Sequence, residues 1–240
     1  MKILLLADLH SERAWYRWVL SEVVKYDLVC IAGDLIDMFK ESGKQVDFLR
    51  EQWLPTFIAS GKALALCSGN HDFSIAPWLS MMNFRNVVAD GQTQLLTLAG
   101  GERLVVTTCP YTWSFNEFDE QMLDLWRTGA RLRQQHDAPW LVLHHEPPEQ
   151  FSPARVINKL GVWIERFSPD YVSSGHFHES TAVLGRFCHR VQSSWCFNNG
   201  CMAGALIPNH TVLDTAERTA VWNATTPGWR QETQTVALSQ

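Results

Sequence analysis

Five short polar clusters hold the residue types in this chain that could do chemistry. They are ADLH (Asp8, His10), GDLID (Asp34, Asp37), GNHD (Asn70, His71, Asp72), LHHEPP (His144, His145) and GHFH (His176, His178). Taken singly, each has an ordinary structural reading: Gly-Asp is a common turn dipeptide, Asn-His-Asp can cap a helix, and His-x-His can be a solvated strand end. Together they combine carboxylate, carboxamide and imidazole, the mixed oxygen and nitrogen donors that suit manganese, iron, zinc or cobalt. Alternate side chains of a strand share a face, so His176 and His178 can be aimed at one site.

Every cluster follows an apolar run that reads as a buried strand: KILLLA, DLVCIAG, KALALCSG, WLVLHH and SPDYVSSG. Ligands gather at the carboxyl ends of strands in α/β sheets, so a layered fold would bring the five clusters together. Between the strands, helical spacing begins near Ser11, again at Val46, Leu49, Trp53 and Phe57, and again at Ile157, Leu160, Ile164 and Phe167. TQLLTLAGGERLVVTT predicts a hairpin turning at Gly100 and Gly101, and HTVLDTAERTAVWNA predicts a second. Alternating strands and helices with added hairpins imply an α/β architecture with mixed sheets.

The bulk composition narrows the function classes. With 240 residues, 46% of them hydrophobic, the chain suffices for a single domain over 1–240. A formal charge of −5 argues against an extended nucleic-acid surface. No apolar run reaches the length of a membrane span, and the opening stretch is too short before its first acid for a signal peptide. A cytoplasmic protein without a membrane partner is expected. The cysteines include no Cys-x-x-Cys pair, and Cys188, His189, Cys196 and Cys201 match no zinc spacing. The 11 tryptophans could serve a core or an oligomer interface equally.

The five clusters, in this order, resemble the signature of the calcineurin-like metallophosphoesterase superfamily, over about three quarters of the chain. That resemblance implies a four-layered α/β/β/α sandwich with two mixed β-sheets and a dinuclear metal site at the strand ends. It also implies two divalent ions, with manganese the first candidate. Carried over position by position, Asp8, His10 and His178 would bind the first ion, Asn70, His145 and His176 the second, and Asp34 would bridge them. The ions would lie roughly 3.5–4 Å apart. Of the adjacent pair in LHHEPP, the family's His-x-Pro-Pro pattern aligns His145 with the ligand, and strand alternation turns His144 to the other face. His71 would protonate the leaving oxygen or stabilise charge on it, and Asp72 would orient His71. Asp37 would order a ligand or the loop.

The implied reaction is attack on phosphorus by a metal-bridging hydroxide, from a water whose pKa falls towards about 7 between the ions. The sequence MF after GDLID departs from the Arg-Gly of the protein phosphatase branch, which leaves a small phosphodiester or phosphomonoester, nucleotide-like substrates included. Tyr111, Trp113, Phe115 and Phe118 could wall a groove or simply pack. The rival classes are a non-catalytic scaffold of the same fold and a nuclease. A scaffold would have lost ligands or the residue at His71, and neither is lost here.

Overall fold

The computed structural model describes residues 1–112, 115–151, 159–179 and 185–239, with only the backbone at 115–119, 121 and 159. Its first half alternates strand and helix. Strand β1 (Lys2–Leu6) leads to helix α1 (Arg13–Glu22), and β2 (Leu28–Ala32) to a long helix built of α2 (Ser42–Asp47), a π-helical stretch (Phe48–Trp53) and α3 (Leu54–Ala59). Strand β3 (Ala63–Cys67), helix α4 (Ala76–Ser80) and the short β4 (Val87–Val88) complete this half. The hairpin β5 (Gln92–Thr97) and β6 (Arg103–Thr108) precedes α5 (Phe115–His136), β7 (Trp140–Leu143), α6 (Lys159–Phe167) and β8 (Tyr171–Ser174). Five strands close the chain: β9 (Cys188–Val191), β10 (Ser194–Asn198), β11 (His210–Asp214), β12 (Thr219–Thr226) and β13 (Arg230–Ala237).

The strands form a 7-stranded sheet in the order β13-β12-β11-β1-β2-β3-β4 and a 6-stranded sheet in the order β5-β6-β7-β8-β10-β9. Each has a parallel centre, β1 to β4 in one and β6, β7, β8 and β10 in the other, with antiparallel strands outside it. Parallel central strands are covered on both faces, which is why their sequences are continuous apolar runs. In β1, Ile3 and Leu5 point into the space between the sheets while Leu4 and Leu6 meet the helical layer. In β7, Leu141 and Leu143 face the other sheet, whereas Trp140 and Val142 pack against Trp126 of α5 and Ile164 of α6. The result is the expected four-layered α/β/β/α sandwich.

The Gly100–Gly101 turn joins β5 to β6, and Gly101 takes the left-handed conformation (φ 83°) that such a turn requires. Strands β4, β9, β10 and β13 go beyond the sequence expectations. β13 is an outer strand paired only with β12, and its RQETQTVA sequence lacks the apolar run that reveals a central strand. Ile157, placed on a helix by its spacing, lies outside the described residues, as does Trp113. Among the described residues, no helix is long and apolar enough to cross a membrane.

Candidate metal centre

The carboxyl ends of β1, β2, β3, β7 and β8 meet at one edge of the sandwich, and the backbone there is unusual. Asp8 (φ 56°), His10 (φ 44°), Asp34 (φ 52°) and His176 (φ 68°) all occupy the left-handed region. That conformation costs a residue with a side chain about 1–2 kcal/mol, so four in one place mark a backbone held against its preference. Hydrogen bonds between the loops hold it: the Asp8 amide donates to Gly33 O (3.0 Å), the His10 amide to Asp34 O (2.9 Å) and the Gly175 amide to His145 O (2.9 Å). Two glycines permit the close approach. A Cβ at Gly33 would collide with the His145 ring, and one at Gly175 with Ala7 and the Asp8 carboxylate.

The side chains converge as two adjoining groups. In the first, the donor atoms of Asp8, His10, Asp34 and His178 all lie within 4.8 Å of one another. His178 Nε2 is 3.2 Å from His10 Nε2 and 3.4 Å from Asp8 Oδ1. In the second, Asn70 Oδ1 lies 3.0 Å from His145 Nε2 and 2.9 Å from His176 Nδ1. Asp34 Oδ2 reaches both groups, at 3.4 Å from His145 Nε2 and 3.8 Å from His10 Nε2.

These spacings fit divalent ions. Adjacent donors around an ion with bonds of about 2.1 Å lie about 3 Å apart, close to the separations around Asn70 and between His10 and His178. The tautomer fits as well. His145 Nδ1 donates to the Ala32 carbonyl at 2.9 Å, which turns Nε2, a donor atom for an ion once its proton is lost, towards Asn70 and Asp34. His144 takes another course, with Nδ1 donating to the Glu146 carbonyl at 2.7 Å. The structure therefore brings His145, and not His144, to the converging donors.

Burial and charge set the protonation of the cluster. Burial acts to raise the Asp34 carboxyl, but the hydrogen bond and charge of His145 and the His71 amide outweigh it and hold the pKa down at about 2. The balance at Asp8 has the same sign, burial being outweighed by His178 and His145. His145 is raised to about 9: burial opposes its charge, and Asp34 and Asp8 favour it more strongly. His176 falls to about 4 through burial and the neighbouring charge of His145. Asp8, Asp34 and His145 are buried, whereas the side chain of His178 is 41% exposed, so the carboxylates form a floor and His178 part of an open rim.

His71 sits beside this floor, its Nε2 3.9 Å from Asp34 Oδ2 and its ring centroid 4.7 Å from that of His10. The expectation that Asp72 orients this ring is corrected. Asp72 is fully buried, and its carboxylate accepts from the amides of Leu35 (3.0 Å), Ile36 (2.9 Å) and Gly69 (2.8 Å). It ties the β2 loop to the β3 loop. Burial raises its pKa to about 7 against the pull of those amides. The His71 ring instead meets the Met38 amide, which donates to Nδ1 at 3.2 Å, and Asp37 Oδ1 at 3.7 Å. Asp37 could be seen as an acid in GDLID, but its neighbour in space could not.

Two further residues support the site. The Gln45 side chain accepts from the Asp37 amide (2.8 Å) and donates to the carbonyls of Asp37 (2.9 Å) and Glu41 (3.1 Å). It also accepts from the Ser11 hydroxyl, linking the loops that carry His10 and Asp37. At the end of β10, Asn198 donates to Gly175 O (3.0 Å), just after β8, and Asn199 to Leu5 O (3.1 Å), near the end of β1. The signal for this pair was present in the sequence, since FNNG is another polar cluster after an apolar run.

Other residues do not join the centre. Cys196 stands opposite His189 across β10 and β9, but Cys188 faces the space between the sheets and Cys196 the α5 and α6 layer, so the four do not share one face. Of the aromatic segment, Tyr111 packs edge-on against His145 at 5.8 Å. The side chains of Phe115 and Phe118 lie outside the described residues.

Comparison with known proteins agrees with this geometry. The family model of the calcineurin-like phosphoesterases matches residues 1–180, and the chain belongs to that family. Similar solved structures include TT1561 of Thermus thermophilus, 14% identical with TM-score 0.62 and 97% of each chain covered. A dimetal phosphatase from Danio rerio is 10% identical with TM-score 0.61, covering 100% of this chain and 99% of the other. A purple acid phosphatase from yellow lupin seeds is 11% identical with TM-score 0.58, covering 99% of this chain and 53% of the other. At these identities the likeness is one of fold. No curated protein matches the chain. Family and cluster together define a metal-dependent phosphoesterase in the general sense.

Proposed function

We propose that the chain hydrolyses small phosphoesters with two divalent ions, one held by Asp8, His10 and His178, the other by Asn70, His145 and His176, and both by Asp34. The observation that carries this reading is the convergence of these donors, drawn from five separate strand ends, with Asp34 Oδ2 within 3.8 Å of nitrogens in both groups. The dimetal and purple acid phosphatases among the fold neighbours support it. When bound, the ions supply Lewis acidity, lowering the pKa of a water towards about 7 and neutralising charge on the phosphoryl oxygens. Manganese remains the first candidate on the resemblance, while the mixed nitrogen and oxygen donors suit iron, zinc and cobalt as well.

The protein's own residues have distinct tasks. Asp8 and Asp34 return only two negative charges to a site of four positive ones, so the centre attracts a phosphate. His145 is held by the Ala32 carbonyl and His176 by its amide, which donates to Asp8 Oδ1 at 3.1 Å. Because the Met38 amide donates to Nδ1 of His71, Nε2 carries the proton of the neutral ring. That nitrogen is the one nearer Asp34, placed to donate a hydrogen bond to charge developing on the leaving oxygen. Asp37 acts through His71 as a positioning residue.

The substrate is read as a small phosphoester in the cytoplasm, without an extended nucleic acid or a membrane. The formal charge of −5 supports the exclusion of a nucleic-acid surface. The test is hydrolysis of bis(p-nitrophenyl) phosphate and p-nitrophenyl phosphate with added manganese, in wild type and Asp34→Asn. Hydrolysis lost in the variant is the expected result. Wild type inert towards both reporters with manganese, iron, zinc and cobalt would instead favour the scaffold reading.

A further inference from the structure

A cavity of about 250 Å³ adjoins the metal centre on the His178 side, lined among others by His178, Glu179, Met202, Ala203, Thr225 and Thr226. It is separate from the His71 side, since neither His71 nor the Phe39 ring that meets it edge-on at 5.4 Å is among the lining residues. Its chemistry is not that of a phosphate site. No lysine or arginine lines it among the described residues. The Glu179 carboxylate has no hydrogen-bond or ion-pair partner among those residues, and a second carboxylate, Glu232, stands behind Thr226, accepting from its hydroxyl at 2.7 Å. The wall opposite in character is apolar, with Met202, Ala203 and Pro227.

Resting on the phosphoester hydrolase reading above, we propose that the substrate is a phosphodiester whose retained arm is a short alcohol with a cationic head, seated in this cavity against Glu179. A phosphate on the centre presents its leaving oxygen to His71 and has one further ester position, and the cavity beside His178 is where a second arm finds room. A second phosphate would meet the Glu179 carboxylate and no lysine or arginine there among the described residues. An ammonium group gains from that carboxylate and can rest its methylene or methyl groups on the apolar wall. The reaction balances as a hydrolysis. Water adds its oxygen to phosphorus and gives up a proton, the P–O bond to the leaving alcohol breaks, that oxygen, hydrogen-bonded by His71, takes up the proton, and the cationic alcohol departs as its phosphomonoester.

The test uses three reporters with one leaving group: p-nitrophenyl phosphorylcholine, its neutral isostere with carbon in place of the ammonium nitrogen, and p-nitrophenyl phosphate. The wild-type protein should favour the choline ester over the neutral isostere by about threefold in kcat/KM, within the range of an exposed charge pair. In Glu179→Gln that ratio should fall to about one. Ala203→Phe, which fills the cavity, should depress both diesters relative to p-nitrophenyl phosphate. A ratio near one in the wild type, or a preference that survives Glu179→Gln, would overturn the proposal. Hydrolysis of none of the three with any of the four metals would instead sink the phosphoesterase reading itself.

Discussion

At His71, the Met38 amide and the Asp37 carboxylate flank Nδ1, while Nε2 faces the converging donors. His71→Ala should therefore keep its metal and lose turnover by about 10²–10³, the usual loss for a donor that stabilises developing charge. Metal content and kcat measured on one preparation check this, and unchanged kcat would remove His71 from the mechanism. Asp37→Asn should lower kcat by about 10–100-fold, the range for residues that orient a working side chain. Its effect should largely vanish in the His71→Ala background; a full additive loss there would mean that Asp37 acts by another route. The adjacent histidines give the complementary experiment. His145→Ala should reduce bound metal and His144→Ala should not, since only the His145 ring reaches Asn70 and Asp34.

Elements position these residues through loop contacts more than through the strands themselves. Gly33 has φ 83° and lies against the His145 ring, so Gly33→Ala must both strain the backbone and move the ring. A cost of about 1–3 kcal/mol in stability is expected, together with a fall in metal content. Gly161 in α6 is the contrasting case, because a Cβ there meets nothing among the described residues. Gly161→Ala should raise stability by about 0.5–1 kcal/mol and leave metal content alone. Denaturant titration of the two variants separates a glycine needed for close approach from one that merely weakens a helix. The strands that lead into the five clusters were legible in the sequence because they are continuous apolar runs and their polar ends interrupt them sharply. β13 was not, because an outer strand of alternating polar residues carries no such run. The partners of Asp72 and Asp37 were not legible either, since neighbours in sequence, His71 and Asp72, turn their side chains to different loops.

Across the whole molecule, both sheets close on one shared core, and one buried acid there makes stability depend on pH. Asp90 accepts from the Ser68 amide at 2.7 Å, while its Oδ2 has no partner among the described residues. Burial raises its pKa to about 6, although the Ser68 bonds oppose that shift. A carboxyl raised in the folded state contributes stability that is fully present below its unfolded pKa and is lost as pH rises through about 6. The loss amounts to about 3 kcal/mol if the unfolded group titrates near its ordinary value. Asp90→Asn lacks that titration, so its stability relative to wild type should improve by about this amount between pH 4 and pH 7.5. A constant difference between the two proteins across that range would show that Asp90 titrates normally.

The central claim is that donors from five strand ends form one centre for two ions, with Asp34 shared. It is tested most directly by adding manganese stepwise to the metal-free protein while following bound metal and phosphodiester hydrolysis together, in wild type and Asp34→Asn. The account predicts two ions per wild-type chain, hydrolysis that appears with the second, and fewer ions with no hydrolysis in the variant. A wild-type chain that binds no metal, or that hydrolyses the ester equally well without it, would contradict the account.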